Sequence, residues 1–417
     1  MTIKDQTLPD SFLLTASPRR RVPASAYDAV IVGGGPAGTS AAIHLATRGA
    51  RVLLAEQKKF PRAKLCGEFI SPECLEHFER LGVMERMLEA NGAELTETRF
   101  YSRSGRSVNV PSEWFGAARV CALGLSRAEM DARLLERARA AGVEVLEEAQ
   151  ATALLFEGES VRGVSLKMGG QVLEVNALVT IDATGRGRAL ARRVEKTEAT
   201  NQSAKIRRPS LVAFKAHLEN AGGVDRHCEI YFYRGGYGGL SRVENGLSNL
   251  CFIASARDVR ACGNDAERVM REVLMKNRRA AQTLADASAP MNGWLAVALE
   301  GFGLRSLVPA RGLLSIGDAA SFIDPFTGSG MLMALESGEL AAQAIARHLP
   351  ALRNNVCSFD EAGAEYRQLY RKTFGARLRM CAWMRRAAFV PRFAETLIFA
   401  LGSSVHARRY LARSTRR

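Results

Sequence analysis

The sequence predicts an α/β fold, a doubly wound parallel sheet interrupted by an antiparallel sheet and completed by helices. Three observations carry this. Two glycine-rich segments, AVIVGGGPAGTSAAIHL from Ala29 and LLSIGDAASFIDPFTGSGMLMALESGELAA from Leu313, stand about 280 residues apart. Each follows an apolar strand and opens a helix, the order that builds a parallel sheet with helices on its faces. Residues 203–300 change to alternating apolar and polar segments, the period of half-buried antiparallel strands.

The elements follow in order. Residues 1–26 combine Pro9, Pro18 and Pro23 with the run Arg19–Arg21 and lack the apolar stretch of a signal peptide, so a disordered basic arm is expected. Ala29 to Val32 reads as a buried strand, and Gly33, Gly35 and Gly38 form G-x-G-x-x-G before a helix through Ala41, Ala42 and Leu45. Gly33 permits the tight turn, Gly35 lets a pyrophosphate approach the backbone, and Gly38 allows close packing of helix on sheet. A second strand, Arg51 to Leu54, leads to Glu56, 21 positions after Gly35 and placed to accept ribose hydroxyls. A linking region from Lys58 to about Ala122 precedes an amphipathic helix from Ser126, with Met130, Leu134, Leu135 and Ala138 on one face. Strands are expected at Glu144–Leu146, Ala151–Phe156, Val161–Lys167 and Val172–Val175, the last two joined through Gly169-Gly170. Ala177 to Ile181 reads as a further buried strand returning to the ligand.

The second half is read in the same way. Ser210–His217, Glu229–Tyr233 and Leu247–Ala254 suggest strands, followed by one helix from Ala266 to Leu284. Gly312 to Gly317 returns as a strand whose carboxyl end presents Asp318, placed to accept hydrogen bonds from a ribityl chain. Pro325, Gly328 and Gly330 then turn the chain into a helix, Gly330 to His348, whose positive dipole end would favour a reduced flavin by about 0.3–2 kcal/mol. Together the two segments specify FAD, held at both ends. The domains expected are a first FAD-binding part (27–202), an inserted substrate domain (203–300), a second FAD-binding part (301–350) and a basic helical region (351–417).

Composition sets the remaining bounds. The chain has 417 residues, 47% of them hydrophobic and 24% charged, which is ordinary globular material. Eight scattered cysteines form no C-x-x-C pair and few histidines accompany them, so no metal site is expected and the thiols read as reduced and cytoplasmic. Phe389 to Leu401 is interrupted by Pro391, Arg392 and Glu395 and is too short to span a bilayer. Of the net charge of +15, a share of +11 falls in the last 47 residues, with twelve Arg or Lys against Glu395 alone. Phe393, Leu397, Phe399 and Tyr410 are interleaved with these arginines. Three settings fit that tail: an anionic membrane surface at the inner face, an acidic acyl carrier protein, or the protein's own core. Nucleic acid is not expected, because the rest of the chain is close to neutral and carries no such module.

The motifs GGGPAG, KLCGEFISPECLEHFERLG, LSRAEMDARL, TIDATGRG and GDAASFIDPFTGSGM, with Glu56, resemble the geranylgeranyl reductase and para-hydroxybenzoate hydroxylase-like superfamily of FAD-dependent oxidoreductases. The resemblance covers most of residues 27–350. It implies a glutathione reductase-like FAD-binding fold, with Gly35, Ala37, Gly38, Glu56, Arg127, Asp318, Gly330 and Met331 on FAD and Cys66 and Gly67 beside the isoalloxazine. Reading the residues alone leaves Cys66 either a functional thiol helped by Lys64 or a packed one. Tyr231, Tyr233 and Tyr237 are candidate linings of the cavity for a small hydrophobic substrate, or core.

Departures from the pattern bear on the reaction. DATGRG, Asp182 to Gly187, stands where hydroxylases carry an Asp-Gly motif, and YGGLSR from Tyr237 stands where reductases carry Tyr-x-Trp-x-Phe-Pro. No Trp-x-Trp-x-Ile-Pro segment exists, so halogenation is not expected. The expectation is an NAD(P)H-linked flavin monooxygenase acting on an aromatic or polyketide-like substrate, with double-bond reduction of an isoprenoid as the alternative. A non-catalytic escort role is the reading from another class, and intact Gly33, Gly35, Gly38, Glu56 and Asp318 argue against it.

Overall fold

The structure, a computed structural model, describes residues 19–21, 27–115, 118–198, 210–288, 293–354, 359–388 and 393–414. In chain order the strands used below are β1 (Arg19–Arg21), β2 (Tyr27–Val32), β3 (Val52–Ala55), β4 (Glu97–Tyr101), β5 (Ser107–Pro111), β6 (Glu144–Leu146), β7 (Gln150–Glu157), β8 (Ser160–Met168) and β9 (Gln171–Asp182). They continue as β10 (Leu211–Leu218), β11 (His227–Tyr233), β12 (Gly236–Arg242), β13 (Ser248–Ser255), β14 (Leu295–Leu299) and β15 (Leu313–Ser315). The helices are α1 (Pro36–Ala46), α2 (Arg127–Ala140), α3 (Gly330–Arg353), α4 (Phe359–Ala388), α5 (Phe393–Gly402) and α6 (Val405–Ser414).

The buried apolar runs at β2, β3 and the end of β9 pair in parallel with β6 and β15, in the order β15-β9-β2-β3-β6. Both faces are covered, as their uninterrupted hydrophobicity requires. The two strands expected on either side of Asn176 are one, because β9 pairs with β8 over its first half and with β2 over its second. Gly169 and Gly170, with φ of 51° and 87°, supply the left-handed pair that a tight β8–β9 turn demands. Arg19–Arg21, expected within a disordered arm, forms a short parallel strand against Val172–Glu174. The reason is that the first half of β9 otherwise leaves an edge of unpaired amides.

Helix α1 crosses α3 at backbone distance. A Cβ on Gly338 would stand 2.4 Å from the Ala37 carbonyl oxygen, and the Ser40 hydroxyl donates to the Leu335 carbonyl at 2.8 Å. Only small residues at this crossing allow it.

The second sheet is seven-stranded, in the order β14-β10-β13-β12-β11-β4-β5. Two of its strands, β4 and β5, come from the region expected to link the first helix to the second. They join through parallel pairing of β4 with β11, more than a hundred residues away, which no local pattern announces. The seven-stranded sheet is therefore drawn from within 27–202 as well as from 203–300. The helix expected over Ala266–Leu284 is broken into Ala266–Glu272 and Arg278–Thr283, because Asn277 caps the second piece through Arg279 and Ala280 amides and also bonds the Tyr101, Ser102 and Phe232 carbonyls.

This broken helix is pinned to the sheet by Glu229, which is fully buried. Its carboxylate accepts from Tyr231 Oη at 2.7 Å, Arg279 Nη2 at 2.8 Å and Thr283 Oγ1 at 3.3 Å, with His227 Nε2 at 3.1 Å. Burial pushes the carboxyl up, but these partners outweigh it and hold it at about 2. A depressed carboxylate contributes stability that is complete above its unfolded value near 4.5 and is lost as pH falls through about 2. Acid denaturation of Glu229→Gln is therefore expected to lack a component on the order of 2 kcal/mol between those limits, checked by urea midpoints at successive pH values.

Candidate functional site

One cavity of about 720 Å³ runs from the carboxyl ends of β2 and β3, past the N-terminus of α1, to the space under the seven-stranded sheet. Its phosphate end is built by the fingerprint glycines. Gly33 has φ of +113° and a Cβ there would meet the Ala183 carbonyl oxygen at 2.3 Å, while one on Gly38 would meet the Gly33 carbonyl at 1.9 Å. These two make the turn and the close packing predicted for them. Gly35 differs, since a Cβ on it would meet only the Arg127 and Arg62 guanidiniums, both at 3.8 Å. It caps α1 without a side-chain bond, so the first-turn amides of the helix face the groove.

Glu56 stands at the end of β3 as predicted, accepting from the Gly34 amide at 2.9 Å and the Lys58 amide at 3.0 Å, with Arg62 Nη2 at 3.4 Å. Arg127 is buried and donates twice to Asp131, at 2.8 and 2.7 Å. Arg62, which sequence reasoning missed, bonds the same Asp131 at 3.1 Å and so is aimed at the Gly35 groove. Lys64 and Arg186 also line the cavity. Burial lowers the basicity of both, and for Lys64 the nearby Arg62 and Arg127 lower it further. Arg62 and Arg127 beside the open Gly35 groove, with the first-turn amides of α1, fit a pyrophosphate.

Asp318 lies at the end of β15, beside the N-terminus of α3. Burial raises its carboxyl, and Arg186, Arg127 and Lys64 pull it back only in part. Ala37, Gly317, Gly328, Gly330 and Met331 line the same stretch, and Gly328 has φ of +62° before the helix begins. Asp182, by contrast, turns inward: it accepts from the Thr184, Leu190 and Ala191 amides and shapes the ATGRG loop rather than a ligand contact.

Cys66 and Gly67 also line the cavity, with Cys66 Sγ 4.0 Å from Met331 Sδ. Lys64 is not its partner; the sulfur accepts from the Glu68 amide at 3.4 Å and lies against Arg127. The segment is fixed by Glu68, a fully buried carboxylate on left-handed backbone (φ 54°). Glu68 accepts from the Arg127 amide at 2.7 Å, forms an ion pair with buried Lys215, and meets His217 Nε2 at 2.6 Å. Burial raises the carboxyl, but His217 and Lys215 reverse this and hold it below the ordinary range. Lys215 and His217 are missed in sequence because alternation on β10 reads as strand, not as a cation pair.

The far wall of the cavity is one face of the seven-stranded sheet. Phe326 packs against Phe100, Phe232 and Tyr237 at centroid distances of 6.1, 5.4 and 5.6 Å. Tyr237 faces the cavity as expected, its hydroxyl bonded to Asp324. Tyr231 and Tyr233 do not: they lie on the opposite face, Tyr231 on Glu229 and Tyr233 Oη donating to the Ile253 carbonyl at 2.8 Å. Side chains alternate along β11, so Cys228, Ile230 and Phe232 face the cavity instead.

The roof is formed by α5 and α6, through Leu397, Ile398, Leu401, Leu411 and Ala412. They are tied down by Glu395, which accepts from the Ser104 amide at 3.1 Å, and by Arg408, which donates to Asn109 Oδ1 at 2.8 Å. Among the described residues no group of His, Cys, Asp or Glu could hold a metal, and no helix is long and apolar enough to cross a membrane.

The chain is 28% identical to a digeranylgeranylglycerophospholipid reductase of Methanosarcina acetivorans, over 84% of this chain and 81% of that protein. It is likewise 28% identical to a flavin-dependent halogenase of Armillaria mellea, covering 81% and 70%. The flavin-dependent brominase Bmp2 shares the fold, with a TM-score of 0.76 at 20% identity and 93% of each chain covered. The FAD binding domain family matches residues 26–354, the stretch that contains every groove residue from Gly33 to Met331, and the chain belongs to that family of FAD-dependent oxidoreductases.

Proposed function

We propose that the protein is an NAD(P)H-linked FAD monooxygenase that hydroxylates a small apolar aromatic or polyketide-like substrate. The observation that supports this is the cavity wall. Phe100, Phe232, Tyr237 and Phe326 present ring edges and faces to one space, continuous with the flavin groove and closed above by Leu397, Ile398 and Leu401. Such a cluster favours an aromatic guest by edge-to-face packing. Bound FAD would supply two-electron redox chemistry and, once reduced, activation of oxygen. Gly35, Arg62 and Arg127 would hold its pyrophosphate, Glu56 its ribose and Asp318 its ribityl chain. The aliphatic roof would shield a bound flavin from water, and Glu68 fixes the Cys66–Gly67 segment in the cavity wall beside it.

A second reading, saturation of carbon-carbon double bonds in an isoprenoid, is supported by the relative named as a digeranylgeranylglycerophospholipid reductase, which this chain matches over most of both lengths. One experiment separates the two. The FAD-loaded protein is turned over with NADPH under labelled molecular oxygen, with phenolic and polyprenyl substrates. Label in a phenolic product is the expected result; an unlabelled polyprenyl product gaining two hydrogens would overturn the first reading in favour of the second.

A further inference from the structure

The two helices that roof the cavity have a second face. On α5 Thr396, Phe399 and Ala400 are exposed on one side of the helix, and on α6 Val405, His406, Arg409 and Tyr410 are exposed on one side. The inward positions are the cavity-lining Leu397, Ile398, Leu401, Leu411 and Ala412. Among the described residues eight large hydrophobic side chains are exposed, and Trp383, Phe399, Val405 and Tyr410 fall within the last 35 residues. Phe399, Val405 and Tyr410 are 67%, 52% and 69% exposed, well beyond what a solvated tail requires. Basic groups frame them: Arg409 is exposed on the same face of α6, and the Arg106 guanidinium lies 5.6 Å from the Phe399 ring centre.

From this we infer that the outer face of α5 and α6 seats on an anionic lipid surface and that the apolar substrate enters the cavity from that surface through the roof. Aromatic and aliphatic side chains interleaved with arginine, on short helices lying side by side, suit the boundary between headgroups and acyl chains. The charge sign selects an acidic surface, since the last 47 residues hold twelve cations and one acid. Because the two faces belong to the same helices, a substrate dissolved in lipid lies one helix thickness from the ring cluster and need not cross water. This rests on the reading of the cavity as an apolar substrate site, but its test does not use turnover, so either can fail alone.

The test is cosedimentation of the full FAD-loaded chain with vesicles of phosphatidylcholine alone or mixed with phosphatidylglycerol. Binding to the mixed vesicles is expected, weakened by salt and reduced at least tenfold in the variant Phe399→Ser, Val405→Ser, Tyr410→Ser. Flavin absorbance of that variant should match the parent, because none of the three lines the cavity. As a positive signal, Tyr410→Trp should show a blue shift of its emission on phosphatidylglycerol vesicles. Equal sedimentation of parent and triple variant would overturn the inference, as would equal binding to neutral vesicles. So would capture of an acidic acyl carrier domain at this face with no vesicle binding.

Discussion

Gly35→Val is expected to strip the protein of FAD while leaving it folded. Gly35 has φ of −78° and ψ of −176°, which any residue adopts, and a Cβ there meets nothing closer than the two guanidiniums at 3.8 Å. The folded chain therefore loses only a helix-capping preference, about 1 kcal/mol. The added methyls occupy the groove between Arg62, Arg127 and the α1 amides, where the pyrophosphate would approach. Affinity for FAD should fall at least about 100-fold, close to 3 kcal/mol. Isothermal titration with FAD reads the loss, and circular dichroism and a melting curve read the fold. Gly33→Val is the contrast, because φ of +113° and a Cβ 2.3 Å from the Ala183 oxygen damage the fold itself. A yellow Gly35→Val protein with parental affinity would show that the cofactor does not use this groove.

The second large effect is expected at Glu68. Its carboxylate is the sole acid that reaches both Lys215, which is 3% exposed, and His217 among the described bonds. Glu68→Gln leaves a buried ammonium without its counter-charge, a loss of about 3 to 5 kcal/mol when one partner of a buried pair is removed. Lys215→Met alone strands the carboxylate instead. The double variant should recover most of the loss, since neither buried charge is then left without its partner. Urea unfolding of the four proteins measures the cycle. A merely structural role would move only those midpoints. Because Glu68 also fixes the Cys66–Gly67 backbone, the double variant should still show shifted flavin absorbance maxima, and an unchanged spectrum would limit Glu68 to stability.

What could be read from sequence was what local chemistry encodes. G-x-G-x-x-G, Glu56 and the Asp318 strand end each carry their own geometric requirement, and the groove assembles from them. The helix from Ser126 was legible from the spacing of Met130, Leu134, Leu135 and Ala138, all of which are buried. The rest depended on pairing across long separations. Strand β4 enters the seven-stranded sheet by lying parallel to β11, and Glu68 finds Lys215 about 150 positions away. The face of β11 could not be chosen from its pattern, because both sides are largely buried: Cys228, Ile230 and Phe232 on one, and His227, Glu229, Tyr231 and Tyr233 on the other, where Glu229 takes up His227, Tyr231 and Arg279. Asn277 ends a helix that periodicity alone would continue, because its amide group is taken up by three carbonyls of the neighbouring strands.

The crossing of α1 over α3 sets a gauge. One helix presents its first amides to the Gly35 groove and the other presents Gly330 and Met331 to the same cavity further along, and they touch through the Ala37 carbonyl and Gly338 with no side chain between. Backbone in contact with backbone has no rotamer through which to yield. The span between the Gly35 groove and the Gly330 end of the cavity is thus a fixed length of the protein, and any give between these two ends would fall to the loops around Cys66 and Gly328.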